Sequence, residues 1–136
     1  MPKMVLLAQY LSINGQNLNT ATKKAELSVE VEDKDVTTFG SLGWKEVIGG
    51  LKSAELACEF FQDFAASQLD AIMWPLLGTV VPFEVRADQG VVSATNPKYT
   101  GNILIKGWNP IEGSVGDEAT VGITFPTSGA VARGTT

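Results

Sequence analysis

The stretch AELSVEVE, residues 25–32, decides the fold class because polar and apolar side chains alternate along it without a break. Its apolar side chains are those of Leu27, Val29 and Val31. The polar side chains on the alternate positions are those of Glu26, Ser28, Glu30 and Glu32. A period of two residues places the two sets on opposite faces of a β-strand. The stretch therefore predicts a strand with one apolar face and one acidic face.

A second alternating stretch covers residues 52–64. One face carries Ala54, Leu56, Cys58 and Phe60, and the other carries Glu55, Glu59 and Asp63. We expect the two strands to pair antiparallel across the segment between them. Cys58 lies in the apolar set, which favours a buried structural thiol.

The connecting segment, residues 33–50, is long and rich in glycine, and large apolar side chains occur along it. Residues 43–48 predict one short helical turn, which Gly49 and Gly50 would close. A phosphate-binding loop is disfavoured because no Gly-Lys-Ser/Thr signature follows the glycines. A monomer rarely leaves large apolar side chains on a long loop. We therefore expect them to dock on the protein's own barrel or on a neighbouring copy.

The rest of the chain predicts further strands and a single helix. A strand over residues 5–13 is followed by Asn14–Gly15, which is typical of a hairpin turn. A helix over residues 67–77 has Ser67 as its N-cap and Pro75 near its end. Its apolar stripe favours packing on the protein's own sheet over binding a lipid or a partner. Further strands are predicted over residues 79–87, 98–108 and 119–125, with a loop over residues 109–116.

Together these elements predict a mostly β fold. We expect a sandwich or barrel of about six to seven antiparallel strands with one flanking α-helix. The length of 136 residues suits one domain and a real core without disulfides. We expect this domain to cover residues 1–126, with residues 127–136 as a small C-terminal tail or arm that lacks a core-forming pattern.

Composition argues against several functional classes. The net charge is −5 and no run of lysines or arginines is longer than the pair Lys23–Lys24, so the chain is not suited to bind nucleic acid. Histidine is absent, and neither Ser41 nor Ser114 lies in a nucleophile elbow. The acids between residues 30 and 35 lack the spacing of an EF-hand loop, which favours a solvated acidic face. We expect no catalytic site, no cofactor and no metal.

Targeting signals are also missing from the sequence pattern. Residues 4–10 are apolar, but this run is too short for a signal peptide and no cleavage pattern follows it. No apolar run approaches the roughly 20 residues that span a bilayer. We therefore expect synthesis in a cytosol and no insertion into a membrane.

Four passages along the chain carry a family resemblance. They are DVTTFGSLGWKEVIGGLKSAEL (35–56), LDAIMWPLLGTVVPFEVRAD (69–88), VSATNPKYTG (92–101) and SVGDEATVGITFPTSGAVAR (114–133). In this order, over nearly the whole chain, they resemble the major tail tube proteins of long-tailed, non-contractile bacteriophages, particularly those that infect actinobacteria. No single passage is as specific as a metal-ligand motif, and the order of the passages carries the resemblance.

The resemblance implies a fold and an assembly. The fold is a β-sandwich or barrel with one flanking helix, related to the tubes of contractile tails and of type VI secretion. Six copies form a ring, and stacked rings form a tube in the virion through which DNA passes to the host without specific binding. The implied partners are other copies of the chain and the tape-measure, tail-tip and terminator proteins, and synthesis takes place in the host cytoplasm.

The resemblance also implies roles for two sets of residues. Residues 33–50 match the family's loop that reaches a neighbouring subunit or ring, so we expect inter-subunit contacts from Phe39, Trp44, Lys45, Val47, Ile48 and Lys52. A like-charged lining lets a polyanion slide. We therefore expect a lumen face formed by Glu30, Glu32, Glu55 and Glu59. Part of that set could instead face the outside or bridge subunits.

Two alternative functions stay open at this point. One is another virion component on a related β-fold, such as a tail terminator or a head decoration protein. The other is a small β-barrel module that binds a ligand, with a pocket formed by the helix stripe and Trp74. No cluster of polar specificity groups in the sequence indicates such a pocket.

Overall fold

The computed structural model describes residues 3–136, which form two antiparallel β-sheets and one short helix. The strands are β1 Tyr10–Ile13, β2 Gln16–Asn17, β3 Thr22–Asp35, β4 Val47–Phe61, β5 Val80–Arg86, β6 Lys98–Leu104, β7 Thr120–Pro126 and β8 Ala132–Gly134. The helix is α1 Leu69–Met73. The predicted mostly β fold with one flanking helix is confirmed.

The two sheets differ in the number and the order of their strands. The larger sheet has the order β2-β1-β5-β6-β8, and the smaller has the order β3-β4-β7. Asn14 and Gly15 form the turn between β1 and β2, and both have the positive φ that the Asn-Gly pair predicts. A single bridge between Ile103 and Thr127 connects the sheets at one end.

The core lies between the two sheets, where the inward faces of their strands meet. Its fully buried side chains are Leu11, Ile13, Leu56, Phe60, Leu69, Met73, Ile103, Ile105, Val121 and Phe125. Leu27 stands directly opposite Leu56, and Ala25 stands opposite Cys58, so the apolar positions of β3 and β4 share one face. The predicted antiparallel pairing and the burial of Cys58 are confirmed.

The predicted loop over residues 33–50 is wrong at both ends, because the ladder between β3 and β4 continues through most of it. Asp35 pairs with Val47, and a bulge places Gly50 and Leu51 opposite Glu32. The connection is therefore only residues 36–46. The charged residues 33–35 and the glycines at 49 and 50 lack a strand pattern. They become extended because each new pair of residues continues a ladder that the preceding pairs have already aligned.

The predicted helical turn over residues 43–48 is also wrong. A 3₁₀ turn lies earlier, at Phe39–Ser41, and ends at Leu42 in the left-handed conformation. The backbone N–H of Thr38 donates to the Ser41 hydroxyl at 3.2 Å, and the Ser41 N–H donates back to the Thr38 carbonyl at 3.0 Å. Thr38 is the N-cap of this turn, and the Ser41 hydroxyl satisfies the Thr38 backbone N–H from the N3 position.

The helix is shorter than predicted. It spans residues 69–73 and continues as a 3₁₀ turn at Trp74–Leu76, because Pro75 cannot extend an α-helix. Ser67 is not the N-cap, since it has a positive φ and Gln68 occupies that position. The apolar stripe packs on the core as predicted, whereas the Trp74 side chain is exposed.

The two ends of the chain and the β6 region also differ from expectation. The predicted strand over residues 5–13 forms only from Tyr10 onward, and that over residues 98–108 ends at Leu104. Trp108 lies in the following loop, buried against Phe60, and donates its indole N–H to Asp70 at 3.1 Å. The C-terminal segment contains β8, which pairs with β6, although its sequence shows no core-forming pattern.

Candidate assembly surface

The hairpin formed by β3 and β4 extends well beyond the core, and we call residues 29–53 the projecting hairpin. Leu27 and Leu56 mark its base, where Leu56 is fully buried. Two residues further along the same face, Val29 is 57% exposed. Within residues 3–136, the core-facing side of the hairpin is therefore largely exposed from Val29 onward.

The apolar residues predicted for inter-subunit contacts lie on this projecting hairpin and are exposed. Phe39 and Trp44 occupy the tip, where Trp44 is 78% exposed, and Val47 and Ile48 begin strand β4. Such a concentration of exposed apolar side chains is typical of a surface that another molecule covers. Contact of these side chains with a neighbouring subunit stays a prediction.

The tip has a defined shape, held by hydrogen bonds around Thr37. The Val36 N–H donates to the Glu46 carbonyl at 3.0 Å, and the Glu46 N–H donates to the Thr37 hydroxyl at 2.9 Å. Thr37 also donates its backbone N–H to the Asp35 carboxylate at 2.9 Å. The hydroxyl and backbone N–H of Thr37 lower the pKa of Asp35 by stabilising its carboxylate. The exposed aromatic side chains are thus presented on an ordered turn.

The lysines predicted for this surface lie in two different places. Lys45 is exposed at the tip, and Lys52 lies in β4 opposite Val31, on the same face as the core but beyond it. Neither forms an ion pair with another part of residues 3–136. Both ammonium groups are accordingly available to a carboxylate from outside the subunit.

Three of the predicted lumen acids share the solvent face of the β3-β4-β7 sheet. Glu30 stands opposite Ser53, and Glu55 stands opposite Ser28, so these side chains lie on the face that points away from the core. Glu59 follows on the same face of β4 and pairs with Lys23 at 3.4 Å. Glu26, which the predicted set leaves out, also lies on this face.

The fourth acid, Glu32, has a different setting, because it lies at the bulge and forms an ion pair with Lys34. Within the described part of the chain, Glu30 and Glu55 have no such partner. The face is therefore more mixed in charge than alternation alone predicts. Its uncompensated carboxylates are concentrated at Glu30 and Glu55.

Sequence reasoning missed a second exposed apolar segment at the N-terminus. The side chains of Met4, Val5, Leu6 and Leu7 are all largely exposed. Residues 3–9 make no backbone–backbone hydrogen bond with other described residues, and the Gln9 carbonyl accepts one bond from the Gln89 side chain at 3.4 Å. The signal for a contact surface is the apolar run at residues 4–7, which largely falls within the predicted strand over residues 5–13.

The described residues offer little for chemistry. Residues 3–136 contain no group of three or more His, Cys, Asp or Glu side chains that could hold a metal ion. No helix in that part of the chain is long and apolar enough to cross a membrane. Burial raises the pKa of the Cys58 thiol to about 12, which leaves it protonated and a poor nucleophile at neutral pH.

Comparisons with known proteins agree with the fold. A family model described as phage tail tube protein matches residues 14–133. A chain in the virion of a native gene transfer agent (GTA) particle is 23% identical with a TM-score of 0.72, covering 92% of this chain and 94% of that one. A chain in the tail of an empty GTA particle, determined with C6 symmetry, is 23% identical with a TM-score of 0.69 and 93% coverage of both chains. Curated protein sequences give no significant match.

Proposed function

This chain belongs to the phage tail tube protein family, and we propose that six copies of it form a ring and that rings stack into the tube. The C6 symmetry of the GTA tail with the same fold supports the number six. Membership in this family supports a structural role. We further propose that the protein carries no catalytic activity.

Unpaired strand edges supply a way to close the ring. In the order β3-β4-β7, both outer strands lack a second strand beside them within residues 3–136, and the outer edge of β3 accepts a hydrogen bond from the Gln9 side chain, at Ala25. Free edges must be covered, and pairing β3 of one copy with β7 of the next covers both. Three strands from each of six copies would make an 18-stranded barrel. A closed barrel of that size leaves an open channel.

The observation that carries the proposal is the two-faced character of this sheet. One face packs on the larger sheet, so only the opposite face can line a channel. That face carries Glu30, Glu55 and Glu59 together with Ser28 and Ser53. Carboxylates repel the phosphates of DNA, which keeps a passing duplex from sticking to the wall. We propose that Glu32 adds to this lining from the bulge.

We propose that the projecting hairpin joins neighbouring subunits. Phe39, Trp44, Val47 and Ile48 supply the apolar contact, which contributes roughly 25 cal/mol for each Å² of apolar surface removed from water. Lys45 and Lys52 meet carboxylates of the neighbouring copy. The rigid tip around Thr37 lowers the entropy lost on contact, because its conformation is already fixed in the free subunit.

A tail tube in a virion must also contact other virion proteins. We propose that the two ends of the tube contact tail-tip and terminator proteins and that the channel holds a tape-measure protein before DNA passes. DNA is not bound specifically, no membrane insertion occurs, and synthesis takes place in the host cytoplasm. The family match does not favour a terminator, a head decoration protein or a ligand-binding module.

Electron microscopy of the purified protein tests the assembly. We expect rings with sixfold top views and tubes of uniform width, appearing either spontaneously or after addition of isolated tail-tip complexes as seeds. Single subunits at every concentration, also with seeds present, would contradict the proposal. Sedimentation velocity on the same samples separates an assembled species from irregular aggregates.

A further inference from the structure

We propose that residues 3–9 of one subunit add as a β-strand to the free edge of β4, at residues 47–53, of a second subunit. The inference rests on the proposed tube assembly and specifies one of its contacts. It explains why the sequence predicts a strand from residue 5, whereas the isolated subunit forms that strand only from Tyr10. A strand without a neighbour cannot satisfy its backbone groups by pairing.

The acceptor edge begins where β7 ends. Strand β7 pairs with β4 from Phe61 to Glu55, and Thr127 bonds to Ala54. Residues 47–53 therefore pair with β3 on one side and with no described strand on the other. The run VIGGL at residues 47–51 contains neither a charge nor a proline, which are the usual means of protecting a free edge.

The acceptor edge carries apolar side chains around two glycines. A Cβ at Gly49 would lie 3.1 Å from the Val31 side chain and one at Gly50 3.3 Å from the Glu32 carbonyl, so both glycines accommodate β3 of the same hairpin. Their neighbours Val47, Ile48 and Leu51 are exposed and apolar. The free edge of β3 over the same length is VEVEDKD, residues 29–35, which is acidic and does not match an apolar strand.

The N-terminal segment has the matching chemistry. Met4, Val5, Leu6 and Leu7 are apolar on both faces of an extended chain. Residues 3–9 contain Lys3 and no acid, whereas the projecting hairpin contains five acids and three lysines. Pairing thus joins a weakly basic apolar strand to an apolar edge on a net acidic hairpin, and the charges attract.

The order of the strands requires that the N-terminal segment that pairs with β4 come from another subunit. The Gln9 side chain donates to the Ala25 carbonyl at 3.0 Å, which holds the N-terminal segment at the outer edge of β3. Leu6 and Leu7 lie beside Thr22 and Lys23, at the base of that strand. Strand β3 therefore separates the segment from the free edge of β4 in its own subunit. A second copy supplies an edge without this obstruction.

Hydrogen exchange with mass spectrometry on free subunits and on tubes tests the pairing. We expect amides of residues 4–8 and 47–53 to exchange at least about tenfold more slowly in tubes, since strand pairing protects them. Rapid exchange of either segment in intact tubes would overturn this inference and leave the tube itself unaffected. Failure of the chain to form any tube would contradict the proposed function and this inference with it.

Proline substitutions give an independent readout. Adjacent residues of a strand point their N–H groups to opposite sides, so either Leu6→Pro or Leu7→Pro must remove a bond to β4. We expect at least one of them to reduce tube formation about tenfold without lowering the Tm of the subunit. Val115→Pro is the control, because Val115 is exposed in a turn followed by Gly116 with positive φ, where proline fits. Normal tubes from both leucine variants would contradict the pairing.

Discussion

Thr127 fixes Ala54 at the point where the projecting hairpin leaves the subunit body, since its backbone N–H and its hydroxyl both donate to the Ala54 carbonyl at 3.0 Å. On one side of this point the residues of β4 are alternately buried in the core. On the other side the same strand is exposed on both faces. The part of β4 that follows Ala54 stabilises the fold, and we propose that the part that precedes it forms assembly contacts.

Two leucines of β4 on either side of that point should respond differently to truncation. Leu56 is fully buried and Leu51 is 78% exposed. We expect Leu56→Ala to lower the free energy of unfolding by about 2–5 kcal/mol, because it leaves a cavity in the core. Leu51→Ala should change it by less than about 0.5 kcal/mol. Urea unfolding of both variants measures the difference, and equal losses would contradict the division of the strand.

The tip tryptophan should matter for assembly and not for folding. We expect Trp44→Ala to leave the Tm nearly unchanged and to reduce tube formation at least about tenfold, because the indole, 78% exposed, has little contact to lose in the free subunit. Trp108→Ala is the matched control: its indole is buried and bonded to Asp70, so it should cost about 3–5 kcal/mol of stability. Unfolding of the subunit by Trp44→Ala would show that the tip is part of the core.

The carboxylates of Glu30 and Glu55 should determine whether the tube retains DNA. We expect tubes with Glu30→Lys and Glu55→Lys to retain a short DNA duplex at low salt, with retention that falls steeply as salt rises. The wild-type tube should retain none. Glu112→Lys with Glu118→Lys makes the same change of charge on an exposed loop. Co-sedimentation of labelled duplex measures retention, and equal retention by the two double variants would argue against a lumen position.

The buried thiol should make stability depend on alkaline pH. The pKa of Cys58 is raised to about 12 in the folded chain from about 9, so its stabilising effect is complete below pH 9 and is lost as the pH rises from 9 to 12. We expect the free energy of unfolding to fall more steeply over this range in the wild type than in Cys58→Ala. Urea unfolding across the range measures both slopes, and identical slopes would show that the thiol titrates normally when folded.

Much of the fold could be predicted because alternation is a local signal. The faces of β3 and β4 follow from side chains two residues apart, and Leu27 meets Leu56 as that pattern requires. The full length of the hairpin could not be predicted. Asp33 and Gly49 are poor strand residues, and only the ladder that reaches them from the core makes them extended.

The candidate surface was predicted in part for a similar reason. The exposed tip was predicted from Phe39 and Trp44, because large apolar side chains among glycines lack a local partner. The N-terminal segment was missed, because an apolar run such as VLLA at residues 5–8 has the same pattern whether its partner is in the same chain or in another. Sequence periodicity contains no information about which molecule supplies the neighbouring strand.

In the tube that we propose, the polar face of the β3-β4-β7 sheet lines the channel of a sixfold assembly. A cryo-electron microscopy reconstruction of tubes assembled from the purified chain shows where this face lies. We predict six subunits per ring, β3 of one copy beside β7 of the next, and the carboxylates of Glu30 and Glu55 pointing into the channel. A reconstruction with these carboxylates on the outer surface of the tube would contradict this prediction.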